Sequence, residues 1–306
     1  MADIDICNYA AKNGDLNLLR YAHENGYIMS LQTCAAAAAN GHLKCLKYAC
    51  EHGCEIDMES CCYDAAKNGH LECLKYITEK GCHLGRTVAV CEVAAENGHL
   101  ECLKYAHEHG HEWDSYTPIN AAKNGHFECL KYALENGCSR DSVYWESYEY
   151  PKGVIEDVCS NAANNENPKF LEYAHEMNCY WDELTCREAA KNGHLKCLIF
   201  AHEEGCPWDA TTCSEAARNG HLKCLQYAHE NGCMWDVNTS NYAAWNGHLD
   251  CLEYALLNDC EWNVNIFKNT YKNGHHECAR FIYELGFFDN DRMEKNRTDI
   301  SDSDDD

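Results

Sequence analysis

The sequence has few basic residues for its size. It contains 25 lysines and arginines against 50 aspartates and glutamates, which gives a formal net charge of −25 at pH 7. Because binding to nucleic acid depends on Lys and Arg contacts to phosphates, this balance argues against a nucleic-acid partner. It favours solubility, and it favours a basic partner if the partner is charged.

Long apolar segments are also missing. No stretch reaches the roughly 18–20 consecutive apolar residues that cross a bilayer, so the sequence predicts no membrane span. Residues 1–5 carry neither the basic nor the apolar region of a secretory signal. We therefore expect a cytoplasmic protein that does not associate with membranes.

What the sequence does have is one short unit that is repeated along most of its length. In its clearest copy the unit runs from Ala216 to Cys233 and contains Asn-Gly-His-Leu-Lys-Cys-Leu. Ten copies can be aligned, mostly 27 residues apart, with a degenerate sixth copy that has Glu166 in place of the aligning glycine. The aligning glycines are Gly14, Gly41, Gly69, Gly98, Gly125, Gly193, Gly220, Gly247 and Gly274. A fixed step of this kind is typical of a stacked array in which each repeat packs on its neighbours.

Each unit reads as two antiparallel helices. In the eighth repeat we expect Thr212 to cap the first helix and Gly220 to end it, since glycine adopts the left-handed conformation without penalty. The apolar face of each helix follows helical spacing: Cys213, Ala216 and Ala217 in the first, and Leu222, Leu225 and Ala228 in the second. The fold class predicted is therefore all-α, a solenoid of ten helix-turn-helix repeats over residues 1–289.

Twenty-two of the 24 cysteines occupy three recurring positions of the repeat. Residues that recur in this way behave as small buried hydrophobes. Equivalent positions of stacked helices are about 8–10 Å apart, too far for a disulfide, so we expect reduced thiols. The recurring His-x-x-Cys spacing could bind zinc, but we expect the histidine to bond backbone groups at the start of the second helix, and we predict no metal and no cofactor.

The repeat resembles the ankyrin repeat. Gly-His-Leu-Glu-Cys-Leu from Gly98 is similar to the ankyrin Gly-His-x-x-Val-Val, and Thr117-Pro118-Ile119-Asn120-Ala121-Ala122 is similar to Thr-Pro-Leu-His-x-Ala-Ala. The step here is 27 residues against the usual 33, which implies that most β-hairpin fingers are reduced to short turns. Short Cys- and Trp-rich arrays of this kind look like those of giant DNA viruses and some protists, which would place a viral protein in the host-cell cytoplasm.

The resemblance implies a non-catalytic scaffold that binds a protein partner through the concave surface formed by the first helices. No chemistry-bearing residue is singular, whereas an active site needs one asymmetric cluster, so we predict no enzyme activity. Positions that vary between repeats are free to select a partner. Those we assign to the first-helix face are Tyr9, Tyr63, Asp64, Glu92, Asn120, Arg187, Glu188, Glu215, Tyr242 and Trp245. The alternative is that this face is merely solvated.

Two segments depart from the repeat. A longer step between the fifth and sixth repeats inserts about 139–157, with Tyr144, Trp145, Tyr148 and Tyr150, which is either a binding finger or a structural wedge. Residues 290–306 are acidic and are predicted to be a disordered tail. An alternative function, an adaptor for a ubiquitin-ligase complex, would need a docking segment in one of these. A Cys/His metal or redox module is a further alternative, and we expect a monomer.

The tryptophans recur just after the second helix of several repeats, at Trp113, Trp181, Trp208, Trp235 and Trp262. They could form an exposed ladder that grips a peptide. Alternatively, each indole could fill the space left by the missing hairpin and seal the core between repeats, which is the usual role of large aromatic side chains. The regular spacing favours the second interpretation.

Overall fold

The structure, a computed structural model, describes residues 5–81, 89–139, 157–263 and 265–286. Across these ranges the chain forms twenty α-helices and no strand. The predicted all-α class is confirmed. The helices of the first five repeats are α1 (Ile6–Asn13), α2 (Leu16–Glu24), α3 (Leu31–Ala39), α4 (Leu43–Glu51), α5 (Met58–Lys67), α6 (Leu71–Glu79), α7 (Ala89–Glu96), α8 (Leu100–Glu108), α9 (Tyr116–Lys123) and α10 (Phe127–Glu135).

The remaining five repeats have the same two-helix form. Their helices are α11 (Val158–Ala163), α12 (Lys169–Glu176), α13 (Glu183–Lys191), α14 (Leu195–Glu203), α15 (Ala210–Arg218), α16 (Leu222–Glu230), α17 (Val237–Asn246), α18 (Leu249–Leu257), α19 (Ile266–Lys272) and α20 (His276–Glu284). None of the helices in the described ranges is long and apolar enough to span a membrane.

The chain divides into two compact units, residues 1–162 with 176–180, and residues 163–175 with 181–306. In each unit first helices pack on first helices, and second helices pack on second helices. The stacked first helices are α1, α3, α5, α7 and α9 in unit 1, and α13, α15, α17 and α19 in unit 2. Each unit is thus a stack of ankyrin-like helix pairs. A single solenoid over 1–289 stays a prediction.

The core of each repeat is made of small first-helix residues and a large second-helix leucine. In the eighth repeat Ala216, Ala217 and Leu225 are all buried. Alanines let neighbouring first helices approach closely, and the leucine fills the space between the two layers. Burying one such leucine contributes about 1.5–3 kcal/mol.

The residue that caps the first helix is not the one predicted. Asp209 precedes α15, and its carboxylate accepts from the backbone N–H of Thr211 at 2.9 Å. Thr212, the expected cap, lies within the helix and is fully buried. The same aspartate capping occurs at Asp182 and Asp236 in the repeats on either side.

The recurring histidine also acts differently from the prediction. It stands at the N-cap of the second helix but makes no side-chain capping bond there. Instead, Nε2 of His42 lies 3.1 Å from the carbonyl oxygen of Lys12 in the preceding repeat, and Nε2 of His70 is 3.1 Å from that of Ala39. The histidine therefore satisfies a carbonyl at the end of the previous first helix and links successive repeats.

Candidate functional site

The first-helix face of each unit carries exposed aromatic side chains at the positions predicted from repeat variability. Tyr9 and Tyr63 in unit 1 are 57% and 36% exposed, and Trp245 in unit 2 is 56% exposed. Aromatic side chains are enriched at protein interfaces.

Other predicted residues of this face bind one another. In unit 1, Asn120 of α9 donates from Nδ2 to Oε1 of Glu92 in α7 at 2.9 Å. Glu92 is half-buried, and this burial raises the pKa of its carboxyl above the ordinary value, assisted by the charge of Asp114. This hydrogen bond joins the adjacent first helices α7 and α9. Asp64 is half-buried on α5, where burial raises the pKa of its carboxyl.

In unit 2 the charged residues form short chains along the face. Glu188 lies 2.9 Å from Lys191 and 3.9 Å from Arg187. In the next repeat Arg218 lies 3.3 Å from Glu215. The guanidinium of Arg218 also lies over the ring of Tyr242, 5.1 Å from its centroid. The Lys and Arg partners are well exposed to solvent, which screens the charges, so each pair contributes at most about 1 kcal/mol to stability.

Beyond Tyr242 the face opens into a cleft of about 290 Å³ between α17 and α19. Its lining combines two aromatic residues with five asparagines: Asn238, Asn241, Tyr242, Trp245, Asn263, Asn265, Ile266, Asn269 and Thr270. None of these nine residues carries a charge. We call this site the asparagine cleft. In a chain of net charge −25, it offers a neutral surface suited to an uncharged ligand.

The sequence explains why a cleft forms here. In the eighth and ninth repeats the alanine pairs Ala216–Ala217 and Ala243–Ala244 are buried between first helices. The tenth repeat has Thr270 and Tyr271 at these places. Tyr271 is too large to lie between closely packed helices and is 58% exposed. The irregular last repeat thus leaves part of α17 uncovered.

Not all of the predicted site can be placed. Tyr144, Trp145, Tyr148 and Tyr150 lie outside the described residues, as does most of the predicted insertion at 139–157. The predicted tail, 290–306, also lies outside them.

Two family models match the chain. A model described as ankyrin repeats (3 copies) matches residues 7–88, and one described as ankyrin repeats (many copies) matches residues 91–134 and 213–256. Together they span more than half of the 306 residues. The chain belongs to the ankyrin-repeat family. Ankyrin repeats generally mediate protein–protein interaction, and neither match indicates an enzyme family.

Among solved structures, this ankyrin chain is similar to the crystal structure of the human ASB11 ankyrin repeat domain. The TM-score is 0.48 with 20% sequence identity, over 57% of this chain and 84% of that one. No curated protein matches the chain in sequence.

The ankyrin stack also contains an aromatic cluster that the sequence did not reveal. His107 stacks on Trp113, with ring centroids 3.6 Å apart, and Tyr132 of the next repeat meets both rings edge-on. Nδ1 of His107 lies 3.0 Å from the Tyr132 hydroxyl. Equivalent clusters are His202–Trp208–Tyr227 and His229–Trp235–Tyr254. These indoles are half-buried and join one repeat to the next, as the sealing interpretation expected.

The cysteines of this ankyrin chain are closer together than the sequence argument allowed. That argument compared equivalent positions in different repeats. Within one repeat, however, the first-helix cysteine and the cysteine after the second helix meet: Sγ of Cys34 lies 3.1 Å from Sγ of Cys54. No group of three or more Cys, His, Asp or Glu side chains in the described part of the chain could hold a metal ion.

Proposed function

We propose that this chain is a non-catalytic ankyrin module that binds an extended, uncharged segment of a partner protein in the asparagine cleft. The observation that supports this most directly is the combination of exposed Trp245 with a lining of amide side chains. A larger interface would continue along the first-helix face toward Arg218 and Glu215.

The chemistry of the cleft fits a peptide backbone. An asparagine side chain offers two N–H donors and one carbonyl acceptor, the same groups that an extended peptide presents. Asn238, Asn241 and Asn263 each use one of these groups in a hydrogen bond within the chain. The amide groups that remain in the cleft can pair with the backbone of a bound segment without any charge. A ligand that left these groups unpaired would lose about 1–3 kcal/mol for each one buried.

Trp245 would supply most of the binding energy. Its indole is more than half exposed at the edge of the cleft, beside Tyr242. Covering such a ring with a proline or an aromatic side chain removes apolar surface from water, and tryptophan is among the residues most enriched at binding hot spots. The cation–π contact of Arg218 fixes the Tyr242 ring and pre-organises this side of the cleft.

The test is selection of random displayed peptides on the whole chain, followed by titration calorimetry of the selected peptides. We expect neutral peptides with an aromatic residue or proline. Trp245→Ala should weaken them by about 2 kcal/mol or more, roughly thirtyfold. The thermal unfolding midpoint of this variant should stay unchanged, because the side chain is exposed.

Met234→Ala is the matched control. This side chain is 76% exposed in the same unit, in the turn after α16, and is not part of the cleft lining. It should leave the affinity unchanged. Selected peptides that bind Trp245→Ala as tightly as the wild type would contradict the assignment of the cleft.

We also propose the finer functions that the sequence suggested. An adaptor role in a ubiquitin-ligase complex would require a docking segment in 139–157 or 290–306, which lie almost entirely outside the described residues. The resemblance to viral and protist arrays, a cytoplasmic location and a monomeric state belong with them. A co-purified ubiquitin-ligase partner whose binding is lost with Trp245→Ala would connect the adaptor role to the cleft.

A further inference from the structure

The first repeat lacks half of a ring pair that four other repeats contain. Histidine occupies one position near the end of the second helix in five repeats, and in four of them a tryptophan follows six residues later. In the first repeat His23 is present, but Met29 stands in the place of the tryptophan. The four complete pairs, each with its two rings stacked, are His107–Trp113, His175–Trp181, His202–Trp208 and His229–Trp235.

The His23 ring has the same orientation as the histidines that carry an indole. Its Nδ1 lies 2.9 Å from the Tyr48 hydroxyl, and the two rings meet at 80° with centroids 5.7 Å apart. For His107 and Tyr132, beside Trp113, the corresponding values are 3.0 Å, 77° and 5.8 Å. Because the hydrogen bond and the ring geometry agree, His23 is already placed to stack on an indole.

A cleft of about 340 Å³ lies at this place in unit 1. It is formed by the end of α2, the turn that follows it and the turn after α4. The residues that line it are His23, Gly26, Tyr27, Ile28, Met29, His52, Gly53 and Cys54. None of these eight is a carboxylate, a lysine or an arginine. Since a cavity of about 150 Å³ is enough to hold benzene, the cleft has room for an indole.

The lining suits a flat aromatic group. The His52 ring lies 5.2 Å from that of His23 and 4.1 Å from that of Tyr48, measured between centroids. Aromatic rings that meet in this way stabilise one another beyond the effect of burial alone. At the mouth of the cleft Tyr27 and Ile28 are 54% and 84% exposed, and a bound ring would remove part of this apolar surface from water.

We propose that this cleft binds the tryptophan side chain of a partner protein, with the indole stacked on His23. The occupant is an indole because the chain itself places one on the equivalent histidine in four repeats. The bound ring meets Tyr48 edge-on, as Trp113 meets Tyr132 with centroids 6.0 Å apart and planes at 63°. This site is in unit 1, whereas the asparagine cleft is in unit 2, so neither proposal depends on the other.

The test uses the whole chain and N-acetyl-5-fluorotryptophanamide, whose fluorine NMR signal broadens when it binds. We expect saturable broadening that unlabelled N-acetyltryptophanamide reverses. N-acetylleucinamide should compete at least about fivefold less well, because it cannot stack on His23. Equal competition by the two amides would show a site for any apolar group and would overturn the proposal.

Met29→Trp is the matched variant, because four repeats carry tryptophan at this place. It should fold with unchanged circular dichroism and weaken binding of the probe at least about tenfold, since its own indole fills the site. Ile56→Trp makes a similar change one repeat further on, at a residue outside the lining, and should bind like the wild type. Ile28→Ala truncates an exposed side chain at the mouth of the cleft and should weaken binding without affecting the fold.

Probe binding that both Met29→Trp and Ile28→Ala leave unchanged would overturn the proposal. So would binding that is lost with Trp245→Ala, because the indole would then occupy the asparagine cleft. Sedimentation of the chain alone tests a second copy as the occupant. Self-association that both Met29→Trp and Trp245→Ala abolish would overturn the assignment to another protein.

Discussion

His175 meets the ring of Phe200 edge-on, with centroids 5.8 Å apart and planes at 76°, in the place where other repeats pair histidine with tyrosine. In the next repeat the equivalent residues are His202 and Tyr227, and Nδ1 of the histidine lies 2.9 Å from the phenol oxygen. The geometry of the rings is the same, but Phe200 has no hydroxyl to share. The two repeats therefore differ by one hydrogen bond between neighbouring helix pairs.

Phe200→Tyr should add this bond. Trp181 already stacks on His175 at 4.0 Å, so the imidazole is held in the orientation seen at His202. We expect the free energy of unfolding to rise by about 0.5–1.5 kcal/mol, the net value of one such bond. Urea denaturation followed by circular dichroism measures it. Tyr227→Phe should give a loss of similar size, and a pair of variants with no effect would show that the bond carries no net stability.

Asp209 and Thr212 provide a second test, because the structure gives Asp209 the capping role that the sequence suggested for Thr212. Removing the cap with Asp209→Ala should cost about 1 kcal/mol. Thr212→Val keeps the shape of a fully buried side chain whose Oγ1 has no hydrogen-bond partner. It should be neutral or stabilising, because an unsatisfied hydroxyl is removed. Thermal unfolding of both variants decides the matter, and a larger loss for Thr212→Val would restore the sequence-based assignment.

Asp209 and Thr212 also show what the sequence could predict and what it could not. Helix existence, the buried Ala216–Ala217 pair and the ten-repeat register all follow from spacing, which depends on which residues face the core. The identity of the capping residue and the hydrogen-bond partner of His42 depend on the backbone geometry between repeats. The spacing of apolar residues in the sequence does not reveal that geometry. The asparagine cleft was found only in part: Tyr242 and Trp245 stand at variable positions, whereas Asn263 and Asn265 lie in a connection that no helical period describes.

The cysteine contact was missed for a related reason. The sequence argument measured the distance between equivalent positions of stacked helices. Cys34 and Cys54 occupy different positions of one repeat, and the turn after α4 returns the chain toward α3.

Gly220 and Gly232 separate two reasons for glycine in the repeat. Both have positive φ, at +77° and +86°. A Cβ on Gly220 would lie 2.5 Å from Nδ1 of His248 in the next repeat, whereas one on Gly232 would meet nothing within 4 Å. Gly232→Ala should therefore cost only the backbone strain, about 1–2 kcal/mol. Gly220→Ala should cost more, because the His248 ring that packs against this glycine must also move.

Urea denaturation of the two glycine variants measures this difference. Adding His248→Ala to each variant serves as the control, since it removes the ring that the new Cβ would meet. In that background the two alanine substitutions should cost similar amounts. If Gly220→Ala remains the more damaging change without the ring, the close approach of His248 is not the cause.

His111 should make the stability depend on pH. It occupies the position held by Cys138 and Cys233 in other repeats, and its side chain is 4% exposed with no partner for Nε2. Burial lowers the pKa of this imidazole below its ordinary value, with a smaller contribution from the charge of His109. The folded chain therefore prefers the neutral ring. The unfolded chain takes up a proton at about pH 6.5, so it binds more protons than the folded chain below that pH.

It follows that the free energy of unfolding should be highest above about pH 6.5 and should fall as the pH decreases through 6.5 toward the lower folded pKa. Burial also lowers the pKa of His70, His107 and His221, which add to the trend. His111→Cys installs the residue that other repeats use and should make the decrease shallower. Urea denaturation at pH 8.0 and at pH 5.5 measures both proteins, and the pH 8.0 value isolates the change in packing. Equal decreases in the two proteins would mean that His111 is already protonated in the folded chain or lies in water there, against the burial that the structure gives it.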